Sequence, residues 1–305
     1  MPRLLIFSLL LAVASPALAV DGVLEINQTC AKETGCFSGD TPGYPVTING
    51  SAGRSYKLTS DIGGVIGLNT NAIEIIADDI TIDLAGFRII CTTFMPPFIV
   101  AFCSESGGGT GSGIVVDNQA LRAGVEVRNG SVIGMPLNGV TLGKQSVVHN
   151  LRVSQNRING IVVDIVSTVS GNTASENGGT GILAGSGSTV SGNTAYSNGN
   201  VGILTITGST VTENTAYDNE GDGIFADAGS NVSGNTAYQN GGAGILVNAG
   251  SNVSGNTVRD NGGYGLSLGA LSGYRENVIS GNTTGTVTGG VNAGGNVCDG
   301  SLTCP

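Results

Sequence analysis

Charged side chains are scarce in this chain of 305 residues, which has 12 Lys plus Arg, 22 Asp plus Glu and a single His. The places where they gather are therefore where chemistry is sought first. Arg128, His149, Arg152, Arg157 and Asp164 form one such gathering. A cation beside a carboxylate could act as base and charge stabiliser in uronate elimination, where the carbon next to the substrate carboxylate must lose its proton. No carboxylate pair stands beside these residues in the sequence, and a solvated surface is the alternative reading. Glycoside hydrolysis generally needs two carboxyls about 5 to 10 Å apart, a condition that linear spacing does not test.

Repeated surface residues compete with that group. Tyr196, Tyr217 and Tyr238 recur every 21 residues. Rings held at the strand spacing of about 4.8 Å could run beside an extended sugar chain, or could simply stiffen a sheet. Beside them Glu176, Ser197, Asp218, Gln239 and Asp260 form a partly acidic file. Asp218 with Asp260 could hold calcium, although serine and glutamine interrupt the file and a solvated face is the alternative. Thr-x-Thr rows on a flat face can bind ice, but of the comparable rows here only Thr210-x-Thr212 has that form. Two irregularities remain. Thr92 to Phe102, an apolar stretch between Cys91 and Cys103, reads as a lip over a groove, a partner contact or a packed flap. Tyr274-Arg275-Glu276 reads as an insertion between Asn256 and Asn282, and so as a surface loop.

The elements that must position these residues follow from one period. Asn172, Asn193, Asn214, Asn235 and Asn256 lie 21 residues apart, as do Asn177, Asn198, Asn219, Asn240 and Asn261. Gly139, Gly160, Gly181, Gly202, Gly223, Gly244 and Gly265 keep the same register. A unit this short cannot bury its own apolar side chains and must stack on its neighbours. Within a unit, three short runs alternate apolar and polar residues between turn formers, the pattern of three strands. Three columns stay aliphatic down the repeats: Val169 to Val253, Ile161 to Leu266, and Ala174 to Val258. These should point inward. A helical solenoid is excluded because β-branched residues, Asn and Gly dominate and no 3.6-residue rhythm persists. The expected architecture is all-β: three parallel sheets, wound by a single strand into about nine to ten coils between residues 55 and 297. The repeated asparagines suit coil corners, where they tolerate left-handed backbone and can bond up and down a ladder. Asn129 and Asn150 extend the asparagine pattern upstream, which puts Arg128 and His149 just before a ladder asparagine.

Composition bounds the rest. A net charge of -10 leaves no basic stripe for nucleic acid. Arg3, the apolar run Leu4 to Ala14 and Ala17-Leu18-Ala19 form a signal-peptide pattern over residues 1–19, with cleavage expected between Ala19 and Val20. No later stretch is long and apolar enough to span a bilayer, and a secreted or periplasmic location is expected. The six cysteines fall into the close pairs Cys30–Cys36, Cys91–Cys103 and Cys298–Cys304. An even count in an exported chain favours disulfides, and local pairing is the simplest connectivity. Residues 20–54 and 298–305 should cap the open sheet ends.

The V-S-G-N-T-A-Y and N-G-G-x-G-I strings, the entry Ile80 to Phe87, and Gly294-Gly295-Asn296-Val297-Cys298 with Cys304 resemble the secreted bacterial right-handed parallel β-helix repeat proteins of the pectate-lyase-like superfamily. The resemblance implies right-handed coiling and, for members that act, polysaccharide substrates. No string here matches a specific catalytic signature of those enzymes. The expectation is an exported β-helix that binds an extended carbohydrate or serves as an interaction module without catalysis. The alternatives are a polysaccharide lyase, epimerase or hydrolase using Arg128, His149, Arg152 and Asp164, and a structural or ice-binding surface.

Overall fold

The computed structural model describes residues 22–51, 53–64, 66–95, 99–106 and 108–305. The expected signal peptide and its Ala19/Val20 cleavage point lie outside the described residues, as do Pro96, Pro97 and Phe98 of the apolar stretch.

Short strands separated by turns stack in parallel on their counterparts in the next coil, 21 residues away through the regular part of the chain. One coil is traced by Val147–Ser154, which bends at Asn150, followed by Ile161–Val163. Its first arm, Val147 to His149, pairs with Thr168–Ser170 and belongs to sheet A. The second arm, Arg152 to Ser154, pairs with Thr173–Ser175 in sheet B. Ile161–Val163 pairs with Ile182–Ala184 in sheet C. About eight turns carry this repeat, and the ladders continue through Val278–Ser280 to Val297–Cys298. The winding is a solenoid of three parallel sheets, as the alternation requires.

The expected columns line its interior. Val169, Val190, Val211, Val232 and Val253 face inward from sheet A with no exposed surface. Ala174, Ala195, Ala216, Ala237 and Val258 do so from sheet B, and Ile161, Ile182, Ile203, Ile224, Ile245 and Leu266 from sheet C. Burying an aliphatic side chain is worth about 1.5 to 3 kcal/mol, and each coil repeats that gain. On sheet C the outward file is also apolar, with Val162, Leu183, Leu204, Phe225 and Leu246 half-buried.

Both asparagine series form buried ladders. Asn193 Nδ2 donates to Asn214 Oδ1 at 3.0 Å and to the Val169 carbonyl at 2.9 Å, while its backbone N–H donates to the same Asn214 oxygen at 2.9 Å. A third ladder is made of serines: the N–H groups of Ser146, Ser167, Ser209, Ser230 and Ser251 each donate to the serine hydroxyl one coil on. The repeated glycine has a packing cause. A Cβ on Gly202 would lie 2.6 Å from the Asn219 amide nitrogen and 2.7 Å from the Gly223 carbonyl oxygen.

Three expectations are corrected. The left-handed residues are not the ladder asparagines but their predecessors: Glu176, Ser197, Asp218, Gln239 and Asp260 have φ of 52 to 57°. Tyr274-Arg275-Glu276 is not an insertion. Asn256 bonds to Asn277 and Asn261 to Asn282, both at a spacing of 21, and Tyr274 lies inward opposite Val253, fully buried. The asparagine at 282 belongs to the second ladder, which is why the apparent gap arose. Finally, residues 20–54 are more than a cap. Val23–Ile26 pairs in parallel with Ser55–Leu58, and Val46–Ile48 with Ile73–Ile75, so the sheets begin before residue 55.

The three disulfides close as paired above, Cys30–Cys36, Cys91–Cys103 and Cys298–Cys304. The first tethers a π-helical turn, Cys30–Thr34, at the N-terminal end. The second closes an antiparallel hairpin, Arg88–Met95 with Ile99–Phe102, which extends a sheet B strand outward. Among the described residues no helix is long and apolar enough to cross a membrane.

Candidate functional site: a charged network at the corner of sheets A and B

Period-2 alternation decides which side chains leave the solenoid on sheet A. In Glu126-Val127-Arg128 the valine is inward and the two charged groups point out, and Thr81-Ile82-Asp83 pairs directly above. Val147-Val148-His149 pairs below, placing His149 opposite Arg128. Arg128 Nε donates to Asp83 Oδ2 at 3.1 Å and its Nη1 to Glu126 Oε1 at 2.9 Å. His149 Nε2 lies 3.0 Å from the same Glu126 oxygen. Asn150 Nδ2 lies 3.2 Å from His149 Nδ1, so the amide donates to Nδ1, and Nε2 carries the proton that is donated to Glu126. Asn129 adds its amide to both oxygens of Asp83, at 3.2 and 3.3 Å.

The electrostatics match this geometry. Burial opposes the charge on Asp83, but the Ala85 N–H, the Asn129 amide and Arg128 outweigh it and hold the carboxyl below the usual carboxylate range. Burial likewise opposes Glu126, and His149 and Arg128 overcome it. Arg128 is raised above its ordinary value by its hydrogen bond to Asp83, with Glu126 adding to it.

Around the corner, Asn129 and Asn150 adopt left-handed backbone at φ 59° and 55°. With Gly86, Gly130, Ser131 and Arg152 they line a depression of about 320 Å³. Arg152 is exposed on sheet B, opposite Ser131 and Thr173. Among the described residues it has no ion-pair partner.

The structure therefore brings together Arg128 and His149, sets Arg152 across the corner from them, and leaves the other two apart. Asp164 lies at the turn from sheet C to sheet A, where its Oδ1 accepts the Ile165 N–H at 2.8 Å. Arg157 binds the carbonyls of Pro136 and Gly109 on the turn from sheet B to sheet C. Asp83 and Glu126, the carboxylates absent from the sequence reading, complete the network. Glu126 was legible from its alternation with Arg128. Asp83 was not, because 45 residues, including the disulfide hairpin, separate it from its neighbour in the sheet. The register of Arg128 and His149 is also corrected. Asn150 is not a ladder residue: Leu151 donates its N–H to Asn172 Oδ1, so Asn150 aligns with Gly171 and His149 with Ser170.

The other candidates lie elsewhere. Tyr196, Tyr217 and Tyr238 stack on the outside of sheet B at 4.9 Å, with interplanar angles of 6° and 4°. Asp218 and Asp260 occupy the left-handed corner file, separated by the coil of Gln239, and Arg259 Nη1 binds Asp260 at 2.7 Å. Among the described residues no group of three or more His, Cys, Asp or Glu side chains is placed to hold a metal ion.

This winding has known counterparts. Residues 112–258 match the family model of the right handed beta helix region. The chain is a right-handed parallel β-helix. Solved β-helices share its path at low identity. The A-module of the Azotobacter vinelandii mannuronan C-5 epimerase AlgE6 is 16% identical with a TM-score of 0.57, over 79% of this chain and 70% of that one. The corresponding module of AlgE4 gives 14% and 0.55, over 77% and 72%. DFA-IIIase from Arthrobacter chlorophenolicus A6, without its lid, gives 12% and 0.54, over 91% and 92%. Among curated proteins none matches the chain by sequence. At these identities the likeness establishes the fold of this β-helix, and its chemistry must be argued from its own side chains.

Proposed function

We propose that this β-helix is an exported binding protein for an extended acidic polysaccharide, held at the corner of sheets A and B without turnover. The observation that carries the reading is the contrast between a closed network and an open cation. Arg128 already bonds two carboxylates, and both ring nitrogens of His149 face partners. A general base needs a free lone pair aimed at substrate, and neither ring nitrogen of His149 presents one. Arg152, in contrast, stands exposed beside a depression floored by backbone, Ser131 and two asparagine amides, which suits a sugar carboxylate and its hydroxyls. Three disulfides fit an oxidising compartment.

The test is retention on immobilised polygalacturonate and alginate. Arg152→Ala should weaken retention about tenfold or more, as expected for loss of a charge-assisted hydrogen bond, and no unsaturated sugar should appear. Unchanged retention, or release of unsaturated uronate, overturns the reading. One observation favours a second reading, a uronate-acting lyase or epimerase: Asp83, Glu126, Arg128 and His149 form a single network beside that depression. On this reading a substrate displaces Glu126 from His149, and Arg128→Ala or His149→Ala abolishes turnover.

A further inference from the structure

We infer that the single histidine of the chain sets which end of the Asn150 amide is offered to a ligand, and that the corner of sheets A and B therefore holds an acidic glycan more tightly once His149 is protonated. The inference rests on the glycan-binding reading above and adds its regulation. A neutral imidazole carries a proton on only one nitrogen. Glu126 Oε1 takes it from Nε2 at 3.0 Å, which leaves Nδ1 an acceptor for Asn150 Nδ2 at 3.2 Å. The same Nδ2 reaches Asn129 Oδ1 at 3.5 Å. The amide hydrogens of Asn150 are thus held inside the network. Its Oδ1 is turned to the corner one coil down, where a Cβ on Gly171 would lie 3.0 Å from it.

A second proton on the ring reverses these roles. Histidine changes charge near neutral pH, and Nδ1 then becomes a donor that can no longer accept from an amide. Half a turn of the Asn150 amide restores the bond, with Oδ1 accepting from Nδ1–H. Only the long contact to Asn129 is lost. The amide hydrogens then stand beside Gly171, where an acceptor stood before.

The surroundings favour this response. Glu126 and Arg128 face the ring from the strand above, with Asp83 beyond them, and the strand below, Thr168–Ser170, carries no charge. Burial opposes the charge on Glu126, but His149 and Arg128 hold its carboxyl below the usual range, so it stays ionised while the ring takes up its proton. Asn129 does not turn in place of Asn150, because both oxygens of Asp83 hold its Nδ2. Asn150 is exposed, lines the depression and stands two residues before Arg152 on the strand Val147–Ser154. Gly171 likewise stands two residues before Thr173, the residue in register below Arg152. A carboxylate that meets Arg152 is repelled by Oδ1 on this side and bound by Nδ2, and the ring adds a positive charge.

Isothermal titration with hexagalacturonate, whose carboxylates stay ionised between about pH 8 and about pH 5.5, tests the coupling. Wild type should bind about tenfold tighter at the lower pH, as for one added charge-assisted hydrogen bond. By linkage, bound hexagalacturonate should raise the titration midpoint of the ring. His149→Gln should bind equally at both pH values. Asn150→Gly, which suits the left-handed backbone, should lose most of the gain. Asp222→Asn, three coils down, should keep it. Nuclear Overhauser contacts of the Asn150 amide hydrogens in unliganded wild type read the turn directly, and should pass from the His149 ring to Gly171 as the one imidazole titrates. Contacts that stay with the ring overturn the inference whether or not a glycan binds, as does a gain that survives His149→Gln. If wild type binds equally at both pH values, the coupling is wrong and the glycan reading stands. If it binds at neither, both fall.

Discussion

At the residue scale, one buried and one half-buried polar group show how closely the repeat is tuned and where it is not. Thr205 points inward on sheet C between Ala184 and Ala226, fully buried, and among the described residues its hydroxyl has no hydrogen-bond partner. A buried unbonded hydroxyl costs about 1 to 3 kcal/mol. Thr205→Val keeps the shape and removes the cost, so a gain of about 1 kcal/mol is expected, read as a rise in thermal midpoint. Asp222 is the second case. Burial pushes its carboxyl up, and the Ala243 N–H, donated to Oδ1 at 2.6 Å, only partly offsets this. A raised carboxyl pKa means that the folded state disfavours the charge. Stability is then greatest below the unfolded-state pKa and falls as pH rises through the folded-state pKa. Asp222→Asn should therefore melt higher than wild type at neutral pH, and the advantage should vanish on acidification. An amide suits the position, since Asn138 and Asn159 make the equivalent bonds to Asn159 and Thr180.

At the scale of elements, strands of three residues are too short to be stable alone, and the side-chain ladders join them. Asn214 accepts the backbone N–H and the amide of Asn193 and donates to Val190 and Asn235. Asn214→Ala strands donors of Asn193 in a dry corner, at about 3 kcal/mol. Chemical denaturation should show that loss, whereas an alanine at the exposed neighbour Glu213 should leave the amide ladder intact. The ladder itself was readable, because identical residues at a fixed spacing must stack. The backbone angle at the corner was not. Asparagine and glycine both suit left-handed angles, and only the hydrogen bonds show that the angle belongs to the residue before each amide. The same one-residue ambiguity misaligned Arg128 and His149, since Asn150 sits where later coils place glycine.

At the scale of the whole molecule, the period alone determined the three sheets and the inward files. Residue i meets i+21 in every regular coil, so chain distance and spatial distance are tied, and neighbours can be named from the letters. Tertiary structure decided what that tie does not reach. Asp83 meets Arg128 across 45 residues because the hairpin loops out and the strand returns to the same sheet. The length of an excursion does not reveal where its ends rejoin a stack. Nor could spacing tell how the tyrosines meet. Equal intervals place the rings in a file, but side-chain orientation decides that they stack face to face, within 6° of parallel.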